Sequence, residues 1–171
     1  MALTGLQGFM LYTPRLLESR KPDDVLFFSL EPVVRGMGLS LVELNLYHGK
    51  ARGGNTGTVQ IRVIVYRDGV TGLEECSRVH RGVLPRLELA FPGKDIYLEV
   101  SSPGIDRIIK DGSEFVHYIG RAIRCYRTDI SDWTAGVLAA TDERKIILRV
   151  EGVETELPYE VIAKARLASC A

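Results

Sequence analysis

The sequence predicts an α+β protein in two parts: an α-β-β-α-β unit whose three-stranded sheet carries both helices on one face, then a small closed β-barrel. Three observations predict it. Up to residue 101, two stretches with apolar residues at helical spacing are interleaved with three stretches of period-two alternation. A Ser-Ser-Pro-Gly turn at 101–104 ends that pattern. After Asp111-Gly112, five short strand-like runs follow at close intervals. They are too short for an open sandwich, whereas closure removes exposed edges.

Residues 1–21 are expected to form an N-terminal extension, residues 22–111 the first domain and residues 112–171 the second. Met1 to Tyr12 is apolar but lacks the basic start and small-residue cleavage site of a secretion signal. Asp23 and Asp24 offer N-caps to a first helix with the stripe Leu26, Leu30, Val33, Val34 and Met37, and Gly36 and Gly38 offer its end. Pro32 inside the stripe predicts a kink or a late start. Two strands follow. Val42, Leu44 and Leu46 alternate with Glu43 and Asn45, and Val59, Ile61, Val63 and Val65 alternate with Gln60, Arg62 and Tyr66. Between them, 48–57 holds Gly49, Gly53, Gly54 and Gly57, which predicts a long hairpin connection.

Thr71 and Glu74 have the spacing of a capping box, and Leu73, Cys76, Val79, Val83, Leu84 and Leu87 give the second helix its apolar face. Pro85 is expected to distort its last turn. Ile96, Leu98 and Val100 form a third strand. In the second part, Ser113 is expected to cap one helical turn through Ile119. Strands are expected over 122–127, 134–140, 145–150 and 153–157, a 3₁₀ turn over Pro158 to Val161, and a last strand over 162–167. An SH3 or Sm type of barrel fits these lengths.

Composition narrows the function classes. Of 171 residues, 46% are apolar and 26% charged, as in an ordinary globular protein, and 22 basic residues balance 22 acidic ones. That balance gives no support to polyanion binding by net charge, but a local patch acts within a Debye length of ~8 Å. No apolar run reaches the ~20 residues of a membrane span. Cys76, Cys125 and Cys170 are scattered, as expected of reduced thiols in the cytosol. Gly49-Lys50 and Gly93-Lys94 lack a following Ser or Thr, and no G-x-G-x-x-G is present, so no nucleotide cofactor is expected. His48, His80 and His117 stand apart from one another and from the cysteines, so no metal is expected.

Ser101 and Ser102 near Asp106 raise the possibility of a serine hydrolase, but their glycine follows them instead of framing a G-x-S-x-G elbow. They read as turn residues, and no catalytic residue is assigned. The G-x-x-G matches at 54–57 and 69–72 lack the two flanking helices of a KH clamp. Binding candidates come from charge. From Leu44 to Arg67 the cations Lys50, Arg52, Arg62 and Arg67 occur without an acid, and Arg121, Arg124 and Arg127 form a second such cluster. On one strand Arg124 takes the opposite parity to the other two. We take Lys50, Arg52, Arg62, Arg67, Arg124 and Arg127 as candidate partner or RNA contacts. Trp133, the single tryptophan, is either a binding anchor or a cover for the barrel core.

The run Leu98-Glu99-Val100-Ser101-Ser102-Pro103-Gly104-Ile105-Asp106-Arg107 resembles the L-E-V-S-S-P-G-x-D-R segment of the RimP family of ribosome maturation factors. Pro32-Val33 through Leu41-Val42, Phe115 to Gly120, Trp133 through Leu138, and Leu157 through Leu167 resemble other family segments, so the likeness spans about residues 22 to 168. Residues 1–21 have no counterpart, the glycine-rich loop is longer, and Ile108-Ile109 stand where a proline often follows. The resemblance implies a non-catalytic, cytoplasmic, monomeric assembly factor without cofactor. Its partners would be the immature small ribosomal subunit, its rRNA and the ribosomal protein at the decoding centre. Ser101, Ser102, Pro103, Gly104, Asp106 and Arg107 are then expected to fix the linker between domains. The alternative is an Sm-like RNA-binding protein that works as a ring.

Overall fold

A computed structural model of the chain describes residues 22–49, 57–68 and 71–168. The N-terminal extension, Lys50 and Arg52 lie outside the described residues. The described residues divide into two compact units at Pro103/Gly104.

The first unit runs α1 (Pro22–Gly36), β1 (Ser40–Gly49), β2 (Thr58–Tyr66), α2 (Leu73–Ala90) and β3 (Asp95–Ser101). Its three-stranded sheet has the order β1-β2-β3, with β1 antiparallel and β3 parallel to the central β2. The parallel pair requires a crossover, which α2 supplies. Val59, Ile61, Val63 and Val65 of β2 are all buried on one side. Against them pack Leu26, Leu30 and Val34 of α1 and Val79, Val83 and Leu87 of α2, which form one core with them. Both helices therefore cover the same face.

Local details differ from expectation for identifiable reasons. Asp23 and Asp24 lie in the first turn of α1, where acids suit the helix dipole, and do not precede it. Asp23 accepts a 3.2 Å hydrogen bond from the Leu46 amide and ties the helix start to β1. Pro32 stays inside α1 without ending it. A register shift between Leu41 and Glu43 breaks the simple alternation of β1 and brings Leu41 into the core beside Leu44. The cap of α2 is one residue later than expected. Glu75, not Glu74, accepts from the Gly72 amide at 3.1 Å, while Thr71 closes the preceding loop through the amide and carbonyl of Arg67.

The second unit contains β4 (Ile108–Ile109), a 3₁₀ segment (Gly112–Tyr118), β5 (Ala122–Arg127), β6 (Asp132–Thr141), β7 (Lys145–Val150), β8 (Val153–Pro158), a 3₁₀ turn (Tyr159–Val161) and β9 (Ile162–Leu167). Residues 104–111, expected with the first unit, join this one because β4 pairs with β9. The cap of the first 3₁₀ segment is Asp111, whose Oδ1 accepts from the Ser113 amide at 2.7 Å; Ser113 is not the cap itself. The strands make one six-stranded sheet in the order β4-β9-β5-β6-β7-β8. Among the described residues no pairing joins the outer strands β4 and β8, so the expected closure is absent from the hydrogen-bonded order.

Ile109, Phe115, Tyr118, Ile123, Cys125, Leu138, Ile146, Leu148, Leu157, Ala165 and Leu167 are buried, with the odd positions of β5 turned inward. Phe115 stacks on Tyr159 at 5.8 Å between ring centroids. Glu151 and Gly152 both have positive φ, the two-residue geometry that matches the twist of the β7-β8 hairpin.

Candidate functional site

Inward odd positions on β5 leave Arg124 and Tyr126 on the outer face, and the register decides their neighbours. Arg124 lies directly opposite Arg166 of β9, and Tyr126 lies between Lys164 of β9 and Trp133 of β6. The guanidinium carbons of Arg124 and Arg166 sit 5.3 and 5.4 Å from the Trp133 ring, within cation–π range. The Tyr126 ring meets Trp133 edge-on at 5.6 Å. Trp133 remains 40% exposed, so its ring lies on the outer surface and not in the interior. The Nε atoms of Arg124 and Arg166 are buried with no hydrogen-bond acceptor. Burying a donor without an acceptor is costly, so the aromatic ring is their main compensation.

Of the candidates inferred from sequence, Arg124 and Trp133 are brought together, and Arg127 is not. A register shift between Tyr126 and Arg127 turns the latter toward the β5-β6 loop. There its Nε donates to Asp129 at 3.0 Å, and that hydrogen bond holds the Asp129 carboxyl below the usual carboxylate range. Arg166, Lys164 and Tyr126 were missed. The alternation of Lys164 and Arg166 with Ala165 and Leu167 is their sequence signal, but it does not say which strand lies alongside.

In the first unit, the sheet face away from the helices carries Tyr47, Gln60 and Tyr97 in one register row and Asn45, Arg62 and Glu99 in the next. Tyr47 and Tyr97 are 54% and 65% exposed. Arg62 is occupied by Glu99 at 3.2 Å, and Arg67 by Glu75 at 2.9 Å. Both cations are therefore partly neutralised where they stand. The hydrogen bonds from the backbone at Glu75 and Gly72 depress the Glu75 pKa, with Arg67 a smaller contributor.

The 101–107 segment separates into three kinds of residue. Ser101 closes β3 opposite Ile64, and Ser102, Pro103 and Gly104 form the connection. Among the described residues no hydrogen bond joins either serine to a histidine or a carboxylate. Asp106 is exposed. Arg107 is turned inward. Its Nε and Nη2 donate to Glu114 Oε2 at 3.1 and 2.9 Å, with side-chain exposures of only 7% and 2%. Glu114 Oε1 also accepts from the Lys110 amide at 3.3 Å, and the Arg107 carbonyl accepts from the Leu167 amide at 2.9 Å. Arg107 therefore joins the turn after Gly104, the 3₁₀ segment and β9.

The described residues contain no cluster of three or more His, Cys, Asp or Glu able to hold a metal, and no helix long and apolar enough to cross a membrane. What they present is surface: a cation–aromatic face on the second unit and an uncovered sheet face on the first. Residues 29–106 match the family model of the RimP N-terminal domain, a span running from α1 through the Ser-Ser-Pro-Gly connection to Asp106. The chain therefore carries a RimP N-terminal domain.

Proposed function

We propose that this protein is a non-catalytic, monomeric, cytoplasmic assembly factor for the small ribosomal subunit, binding the immature particle and its decoding-centre ribosomal protein. The observation that carries the reading is the match of residues 29–106 to the RimP N-terminal domain. Three features are consistent with a binding role. Arg124, Trp133 and Arg166 form a face suited to rRNA. The outer strand β8 is flanked by Glu151 and Glu160, while its own Glu154 and Glu156 pair with Arg149 and Lys145, and a strand edge with acids at its ends suits a basic, extended ribosomal protein. The 101–107 segment would set the path between two separately folding domains, the second a small SH3-like barrel. Binding one conformation of an assembly intermediate shifts the population toward it without making or breaking a bond.

Gradient sedimentation of the tagged protein, together with rRNA analysis of a deletion strain, tests this. We expect co-migration with free small subunits and accumulation of immature small-subunit rRNA on deletion. A protein that stays at the top of the gradient, with rRNA processing unchanged on deletion, would remove the proposal.

A further inference from the structure

We infer that the outer face of β9-β5-β6 takes a single strand of RNA, with phosphates on Arg124, Lys164 and Arg166 and an unstacked base against Trp133. The inference deepens the maturation-factor reading and rests on it for which RNA is met in the cell.

The charge arrangement points to a polyanion. Arg124 and Arg166 are directly opposite each other on neighbouring strands, where like charges destabilise a sheet. Elsewhere on this unit the strand cations are paired: Arg127 with Asp129, Lys145 with Glu156, Arg149 with Glu154. Among the described residues Arg124, Lys164 and Arg166 have no carboxylate partner. The register rows through them hold Ile108, Arg166, Arg124 and Ala135, and then Lys164, Tyr126 and Trp133, with no acid in either. Three adjacent unpaired cations on one face complement a run of phosphates.

The aromatic component favours RNA over an acidic peptide. Trp133 keeps a substantial part of its ring system open beside the two guanidiniums. Exposed aromatics next to Arg are the elements that hold unstacked bases, because every base offers a π-face. Regular duplex RNA presents no such base, so a single-stranded segment is the fitting ligand.

Trp133 is the only tryptophan, so its emission reports this face directly. Full-length protein is titrated with single-stranded oligouridylate of about twelve nucleotides, a length on the order of one small-barrel site. We expect saturable quenching. Three phosphate contacts at about −0.7 each give a slope of log affinity against log salt of about −2. Arg124→Ala/Arg166→Ala should weaken binding by roughly tenfold or more and bring the slope to about −0.7. Arg124→Lys/Arg166→Lys keeps the charge if the alanine variant fails to fold. It should retain the slope while binding more weakly, because lysine lacks the planar fork.

Absence of quenching at about 50 mM salt overturns the inference, as does an unchanged affinity in both variants. Equal quenching by an oligoglutamate overturns it in favour of an acidic peptide. Sedimentation separates the two levels. A wild type that joins small subunits but ignores oligouridylate sinks this inference alone, while one that binds oligouridylate but not the subunit sinks the maturation reading alone.

Discussion

Replacing Arg107 by alanine would deprive a carboxylate with 2% side-chain exposure of the guanidinium that donates to it twice. Removing one partner of a buried ion pair costs about 3–5 kcal/mol, because the remaining charge stays buried from water without the guanidinium that faced it. The Lys110 amide still reaches Glu114, but at 3.3 Å it is the longest of the hydrogen bonds described to that carboxylate. Domains have total stabilities of roughly 5–15 kcal/mol, so Arg107→Ala should leave the second unit marginal. Urea unfolding of the full chain followed by Trp133 emission reads that unit selectively, since the only tryptophan lies within it. The midpoint should fall sharply with the slope little changed. Arg107→Met/Glu114→Leu removes both charges and fills similar volume, so it should recover most of the loss. A single variant within about 1 kcal/mol of wild type, or a double variant no better than the single, would refute the assignment of a buried, mutually dependent pair.

Gly136→Ala should destabilise by about 1–3 kcal/mol in the same assay, because its Cβ would lie 2.7 Å from the Arg149 carbonyl oxygen on the paired strand, where backbone must move. Gly82→Ala in α2 meets only the flexible end of Met37, and the gain in helix propensity of about 0.5–1 kcal/mol should leave stability unchanged or raised. Burial lowers the His117 pKa below its ordinary 6.5, so the unfolded chain takes up its proton first as pH falls. Stability should therefore decline from about pH 6.5 downward until the folded state also protonates; equal slopes in wild type and His117→Gln would exclude that source. Burial pushes the Cys125 thiol up to about 12, so in a Cys76→Ser/Cys170→Ser variant Ellman's reagent at pH 8 should react only upon unfolding. Rapid labelling of the folded protein would contradict it.

The first unit was legible because its periods are strong. The run Val59, Ile61, Val63, Val65 identifies a strand, and Val79, Val83, Leu87 a helix face, whichever neighbours they meet. What escaped depends on one-residue geometry. Leu41 enters the core only through a bulge, and the cap of α2 shifts from Thr71 to Gly72 because Thr71 is used by the preceding loop. In the second unit, β4 is two residues long, below the length at which any period is visible. Without it neither the β4-β9 pairing nor the order of the six described strands could be read. The candidate face was half legible. Arg124 and Trp133 attract notice by type, but Arg166 lies forty-two positions further along and is brought beside them by strand pairing alone. Glu114, the partner of Arg107, had no signal at all, since a glutamate in a short helical segment normally faces water.

The place of β9 between β4 and β5 has a consequence for a growing chain. Hairpins β5-β6, β6-β7 and β7-β8 can each zip up as soon as they are synthesised, since their partners are adjacent in sequence. Ile108–Ile109 must wait, and one side of β5 stays open, until residues 162–167 leave the exit tunnel and slide in between. The first unit has no such delay, because its last strand is made before Pro103. On the translating ribosome the earlier half should thus resist protease while the later half is still being digested, and the later half should become protected in one step when Leu167 arrives.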